Sequence, residues 1–331
     1  MQKINLKLGD IKYPLPERII KKFRECFKEV NLYPQNYELL VSKLAKKFNI
    51  DKANILLVNG IDGGIDLIAK VFGRRILFFA PTYFEFKEAA RRNKRRYKVI
   101  NSFNGQEYKI NIDNPDIKKE IKKASLIFLC NPNNPFGLLT SKTILNIVKI
   151  TKGIVAVDEC YIDFSGKSVL KDIKNHSNLL ILRSFSKGYS AAGLRLGFIV
   201  GNKRLIDQLR DKKLFFDVSS PSINAALILL EEEKYFKNLI TDIKKLKNNF
   251  EEYLQMRGFN VIKTNNNNII IKFLSIAKAN KFYSFLLKNG VIVNQGDGIS
   301  TVGLNKSWIR LAHGRKEQMS KLKKIIDKFI F

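Results

Sequence analysis

From about residue 54 to residue 201, short apolar runs alternate with stretches of helical character. The runs are Ile55-Leu56-Leu57-Val58, 76–79, 126–129, 154–157, 179–182 and Phe198-Ile199-Val200. Runs of three to four apolar residues without polar alternation suit strands covered on both faces, so the pattern predicts a large α/β domain. Between residues 231 and 256 the period changes. Phe236, Leu239, Ile240, Ile243, Leu246, Phe250 and Tyr253 recur three and four residues apart, which predicts one long helix leading into a second domain. A polar turn at 265–268, a strand at 269–273, a helix near 279–288, short strands near Val291 and Trp308 and a closing helix at 317–331 complete a smaller α+β unit. No repeat or low-complexity linker intervenes. The expected division is an N-terminal arm with the start of the small domain (1–30), a large domain (31–230) and a small C-terminal domain (231–331).

Composition narrows the class. With 331 residues, 45% of them hydrophobic and 11% aromatic, the chain can bury a substantial core. No apolar run approaches bilayer length, and Met1-Gln2-Lys3-Ile4-Asn5 has no secretory pattern, so the expectation is a cytoplasmic protein without a membrane partner. Cys26, Cys130 and Cys160 are odd in number, widely spaced and far from metal-ligand patterns, which argues against disulfides and against a metal site. The formal charge of +30 raises the question of nucleic acid. Most of the excess is lysine spread along helices, only 91–98 is dense, and no nucleic-acid-binding motif accompanies it, so no such partner is expected.

Five segments carry chemistry. The run Ser184-Phe185-Ser186-Lys187-Gly188-Tyr189-Ser190-Ala191-Ala192-Gly193-Leu194-Arg195 follows a strand and sets one lysine among hydroxyls, with an arginine eight residues on. Those are the parts needed to hold a phosphorylated aldehyde as a Schiff base, although a lone lysine in such a loop is more often solvated surface. Asp158, ending Val155-Ala156-Val157, needs a cationic partner if buried, and a protonated pyridine is one. A loop or helix cap is the alternative. Asn131-Pro132-Asn133-Asn134-Pro135-Phe136-Gly137 is a turn at a strand's carboxyl end, where ligands of open α/β sheets bind. Asn59-Gly60-Ile61-Asp62-Gly63-Gly64 ends a strand and opens a helix whose free amides can cradle phosphate. Tyr83, after Pro81-Thr82, is either a ring-stacking residue or a core tyrosine.

In order, these segments and Ile309-Arg310-Leu311-Ala312-His313-Gly314 resemble the fold-type-I pyridoxal-phosphate (PLP) enzymes, most closely the histidinol-phosphate aminotransferases. The resemblance implies a large, mostly parallel seven-stranded sheet domain plus a smaller α+β C-terminal domain. It implies that Lys187 bonds the cofactor and shuttles the proton, that Asp158 pairs with the ring nitrogen, and that Asn134 and Tyr161 bond the ring oxygen while Tyr83 stacks on the ring. Ile61, Asp62, Gly63, Ser184, Ser186 and Arg195 would hold the phosphate. Tyr33 would reach the neighbouring subunit's cofactor, hence a homodimer. Arg310 would bind the substrate's carboxylate or phosphate, and Tyr13 would touch substrate. Three departures stand out: Asp62-Gly63 where the family has Asp-Glu, Gly9-Asp10-Ile11-Lys12-Tyr13-Pro14 where it opens with an Asn-Glu-Asn-Pro pattern, and Asn294 where a second substrate-binding arginine is expected. The implied reaction moves an amino group between glutamate, or a similar donor, and a small phosphorylated ketone such as imidazole acetol phosphate or dihydroxyacetone phosphate. A decarboxylase of phosphothreonine or phosphoserine and a non-catalytic binding protein are the alternatives.

Overall fold

The structure, a computed structural model, describes residues 3–105, 107–298 and 301–330. Seven strands form the main sheet: β1 (Ile55–Asn59), β2 (Arg75–Ala80), β3 (Arg96–Asn101), β4 (Leu126–Cys130), β5 (Ile154–Asp158), β6 (Leu179–Ser184) and β7 (Leu196–Gly201). They lie in the order β1-β7-β6-β5-β4-β2-β3, and β7 alone runs antiparallel to its neighbours. Six of these strands coincide with the apolar runs, because both faces are covered. Ile55 and Leu57 enter one core while Leu56 and Val58 enter the other, and Ile127 and Leu129 part from Leu126 and Phe128 in the same way. The seventh, β3, reads Arg-Tyr-Lys-Val-Ile-Asn with no residue fully buried. It is the sheet's edge, where charge is tolerated and blocks further pairing, so its sequence looks like part of a basic run rather than a strand.

A second sheet comprises β8 (Val261–Ile262), β9 (Asn268–Lys272), β10 (Asn294–Gln295) and β11 (Trp308–Ala312), in the order β8-β9-β11-β10. Its core, with Phe250, Phe259, Ile269, Ile271, Phe282 and Leu311, is separate from those of the main sheet. The N-terminal segment belongs to this unit: Ile4–Asn5 pairs with Val291–Ile292, and Ala312 N–H donates to the Leu6 carbonyl at 2.9 Å. The long helix is Glu233–Met256, with Ser220–Glu231 a separate helix before it, and the closing helix is Lys316–Ile326, shorter than its pattern predicts. Among the described residues no helix is long and apolar enough to cross a membrane.

The polar turn expected at 265–268 is a bend leading into β9, and it is buried: Asn266, Asn267 and Asn268 are 2%, 0% and 1% exposed. Their amides make the burial tolerable by finding acceptors in the 131–137 loop of the large domain and in the N-terminal segment. Asn266 Nδ2 donates to the carbonyls of Asn133 (2.8 Å) and Pro135 (3.0 Å), Asn267 Nδ2 to that of Gly9 (3.1 Å), and Asn268 Nδ2 to Asn134 Oδ1 (3.4 Å).

Candidate active site

The parallel strands β1, β4, β5 and β6 deliver their carboxyl ends to one edge of the main sheet, and antiparallel β7 begins there. Into that edge open Ile61 and Asp62 after β1, Asn134 after β4, Asp158 at the end of β5, Ser184, Ser186 and Lys187 after β6, and Arg195 just before β7. These residues, with Tyr83, Tyr161 and Arg310, line one cavity of about 530 Å³. A crevice outside the carboxyl ends of strands is where open α/β sheets bind ligands.

Asp158 is 3% exposed and accepts from Cys160 N–H at 2.9 Å. Burial drives its pKa up to about 6, against the pull of that amide and of Lys187. Lys187 also lies in the wall, and burial lowers its pKa, as a lysine that must become a neutral nucleophile requires. Its Nζ donates to the Gly9 carbonyl at 2.9 Å and lies 5.5 Å from the centre of the Tyr161 ring. Burial raises the Tyr161 phenol, so it is protonated at neutral pH.

At the far end, Arg195 Nη2 donates to Asp62 Oδ2 at 2.8 Å, and the Tyr83 hydroxyl donates to Asp62 Oδ1 at 2.8 Å. Arg195 occupies the left-handed region, φ 49°, where a non-glycine residue is strained. Gly60, φ 64°, lets it approach: a Cβ there would stand 2.8 Å from Arg195 Nη2. Arg310 Nη1 donates to Asn134 Oδ1 at 3.3 Å, while its buried Nε has no partner. That orphan donor marks a place for an anion.

Four expected site residues lie off the cavity wall. Gly63 sits one turn into the helix Gly60–Phe72. Asn294 is buried on β10, directly across from Arg310 on β11. Tyr13 packs beside Tyr161, Ile240 and Ile243, and its hydroxyl is buried without a hydrogen-bond partner. Tyr33 is 69% exposed and stacks on Phe216 at 4.3 Å between ring centres, pointing outward. Sequence reasoning in turn misses Leu8, Gly9, Asp10, Phe84, Cys130, Cys160, Ala192 and Gly193, all of which line the cavity. Cys130 and Cys160 flank Asp158 at positions its strand ends already fix, which was a usable signal. Gly9 acts through its carbonyl, which no residue type announces.

The donor set fits PLP. A buried carboxylate poised to lose its proton suits a cationic ring nitrogen. Hydroxyls of Ser184 and Ser186, the Arg195 guanidinium and a helix start suit a phosphate, and a desolvated amine stands between the two ends. Among the described residues no cluster of His, Cys, Asp or Glu is arranged to hold a metal.

Comparison with known proteins agrees. The family model described as aminotransferase class I and II matches residues 1–326. A histidinol-phosphate aminotransferase of Ruminiclostridium cellulolyticum is 30% identical over 96% of this chain and 90% of its own. Among solved structures, the L-threonine-O-3-phosphate decarboxylase of Porphyromonas gingivalis is 25% identical, with a TM-score of 0.83, over 98% of this chain and 99% of that one. The histidinol-phosphate aminotransferase of Sinorhizobium meliloti, solved with pyridoxal-5'-phosphate, superposes with a TM-score of 0.86 at 18% identity over 98% of this chain and 91% of that one. With the family matched over nearly its whole length and the cofactor's donor set gathered in one cavity, this chain belongs to the class I and II aminotransferases and is a PLP-dependent transaminase.

Proposed function

We propose that the enzyme is an aminotransferase of the histidinol-phosphate type, exchanging an amino group between glutamate or a similar donor and a small phosphorylated ketone, imidazole acetol phosphate or a shorter one such as dihydroxyacetone phosphate. The carrying observation is that Lys187, Asp158 and Arg310 share one cavity. When bound, the cofactor withdraws electrons from the substrate carbon that loses its proton. Asp158 keeps a positive charge on the ring nitrogen favourable, and Asn134 with the protonated Tyr161 orients the ring oxygen. Lys187 would hold the cofactor and supply the amine that takes up and hands back the proton lost from the substrate carbon. The Arg310 fork holds the substrate carboxylate and so aims the reacting bond. Ile61, Asp62, Gly63, Ser184, Ser186 and Arg195 take the cofactor phosphate, and Tyr83 covers the ring.

We read the assembly as a homodimer. The exposed Tyr33, Leu214, Phe215 and Phe216 form an apolar patch, and Tyr33 on that patch is free to reach a partner's site. Three free cysteines suit a reducing cytoplasm. The separate cores of the two sheets support a division into a large and a small domain, for which we keep the bounds 30/31 and 230/231.

The decarboxylase reading draws on one observation: the L-threonine-O-3-phosphate decarboxylase of Porphyromonas gingivalis matches the chain over 98% of its length at 25% identity. Glutamate decides between the two. A transaminase loses the absorbance of its lysine-bound cofactor on adding glutamate and regains it with a phosphorylated ketone. If glutamate leaves the spectrum unchanged while phosphothreonine yields carbon dioxide, the aminotransferase proposal fails.

A further inference from the structure

Behind the catalytic lysine stands a short relay that begins in the other sheet. The Gly9 carbonyl accepts twice, from Lys187 Nζ at 2.9 Å and from Asn267 Nδ2 at 3.1 Å. Gly9 is wedged in place: a Cβ there would stand 2.8 Å from the Tyr161 hydroxyl and 3.5 Å from Asn268 Oδ1. Asn267 is wholly buried, and its own carbonyl accepts from His313 N–H at 2.8 Å, which locks its backbone to the end of β11. Its Oδ1 is buried without a partner. Reversing the amide would set that oxygen against the Gly9 carbonyl, so the donor contact fixes the orientation. A fold that leaves one side of a buried amide orphaned retains it for the other side.

We infer that Asn267 is a positioning residue for Lys187, acting through the Gly9 carbonyl. Asn267 pins the carbonyl, and the carbonyl accepts a charge-assisted hydrogen bond from the lysine in its ammonium form. The small sheet thereby sets the protonation and direction of the amine that reacts with the cofactor. The same three-residue run ties Asn266 and Asn268 to the loop carrying Asn134, so lysine and ring-binding loop are held from one strand. The inference rests on Lys187 being the cofactor lysine.

The test is cofactor capture by stripped protein across a pH series, followed by the absorbance of the lysine-bound cofactor. Only the neutral amine attacks the aldehyde, so the midpoint reports the lysine's protonation. Asp10, Asp62, Cys160, Arg310 and the Tyr161 ring also face Lys187 and are unchanged in every variant. Asn267→Ala lets the carbonyl turn away, weakens support for the ammonium form, and moves the midpoint about 0.5–1 pH unit toward acid, the worth of one hydrogen bond. Asn267→Asp brings a carboxylate to the same place and moves it toward alkaline. Opposite shifts are the expected result, since a purely structural role would not reverse sign with the charge introduced. Midpoints that stay at the wild-type value, or move the same way in both variants, overturn the inference. If Asn267→Ala does not fold, Asn267→Ser, too short to reach Gly9, replaces it in the comparison. Borohydride reduction and peptide mapping of the wild type keep the two ideas apart. Cofactor fixed elsewhere than Lys187 defeats the lysine assignment, whereas cofactor on Lys187 with unmoved midpoints defeats only the role of Asn267.

Discussion

Asp158 and His313 are two buried ionisable side chains, each 3% exposed, pulled in opposite senses by the same cause. Burial raises Asp158 from 3.8 to about 6, and lowers His313, both of whose ring nitrogens lack partners, from 6.5 to about 4. For the acid, the folded state binds more protons than the unfolded one between these values, so its contribution to stability falls as pH rises from about 4 to about 6. For the histidine the unfolded state binds more, so stability is present above pH 6.5 and is lost as pH falls toward 4. Each effect is on the order of 3 kcal/mol, and in the cofactor-free wild type they largely offset one another. Urea unfolding of cofactor-free protein should therefore show Asp158→Asn losing stability steeply on acidification and His313→Asn gaining it. Parallel curves for the two variants would refute this account. At this scale sequence reasoning reaches residues whose chemistry is in the side chain, such as Lys187, Asp158, Asn134 and Arg310. It misses Gly9, because a carbonyl's role depends on what packs around it.

Among the elements, those legible in the sequence are those whose burial is uniform. Continuous apolar runs announced six strands of the main sheet, whereas the charged edge strand β3 and the two-residue strand β10 carry no such signal. The burial of the asparagines leading into β9 goes unannounced for a related reason: polarity predicts exposure unless acceptors are waiting, and the acceptors here are backbone carbonyls about 130 residues away. Asn266→Ala strands the Asn133 and Pro135 carbonyls in the interior and should cost about 2–4 kcal/mol, one to three per buried group less partial relaxation. Chemical denaturation measures it, and a loss below about 0.5 kcal/mol would mean the clasp between the two sheets is slack.

For the whole molecule, charge and apolar surface point to different partners. The excess of lysine is dispersed, and several cations of the basic run are already engaged: Arg91 with Glu88, Arg92 with Asp66, and Lys98 with Glu120. The concentrated feature is instead the aromatic patch of Tyr33, Phe215 and Phe216. Phe216→Glu would set a charge in that patch and should shift the proposed homodimer to monomer in sedimentation equilibrium. It should also weaken cofactor retention, because Tyr33 would no longer reach a partner's site. A variant that stays dimeric places the interface elsewhere.

The central claim is that one amine at the carboxyl edge of the main sheet bonds the cofactor. Borohydride reduction of the PLP-loaded enzyme, followed by proteolysis and mass spectrometry, measures this directly. A single modified peptide carrying the reduced cofactor on Lys187, and none in Lys187→Ala, is the expected result. Cofactor found on another lysine, or retained covalently by Lys187→Ala, would contradict it.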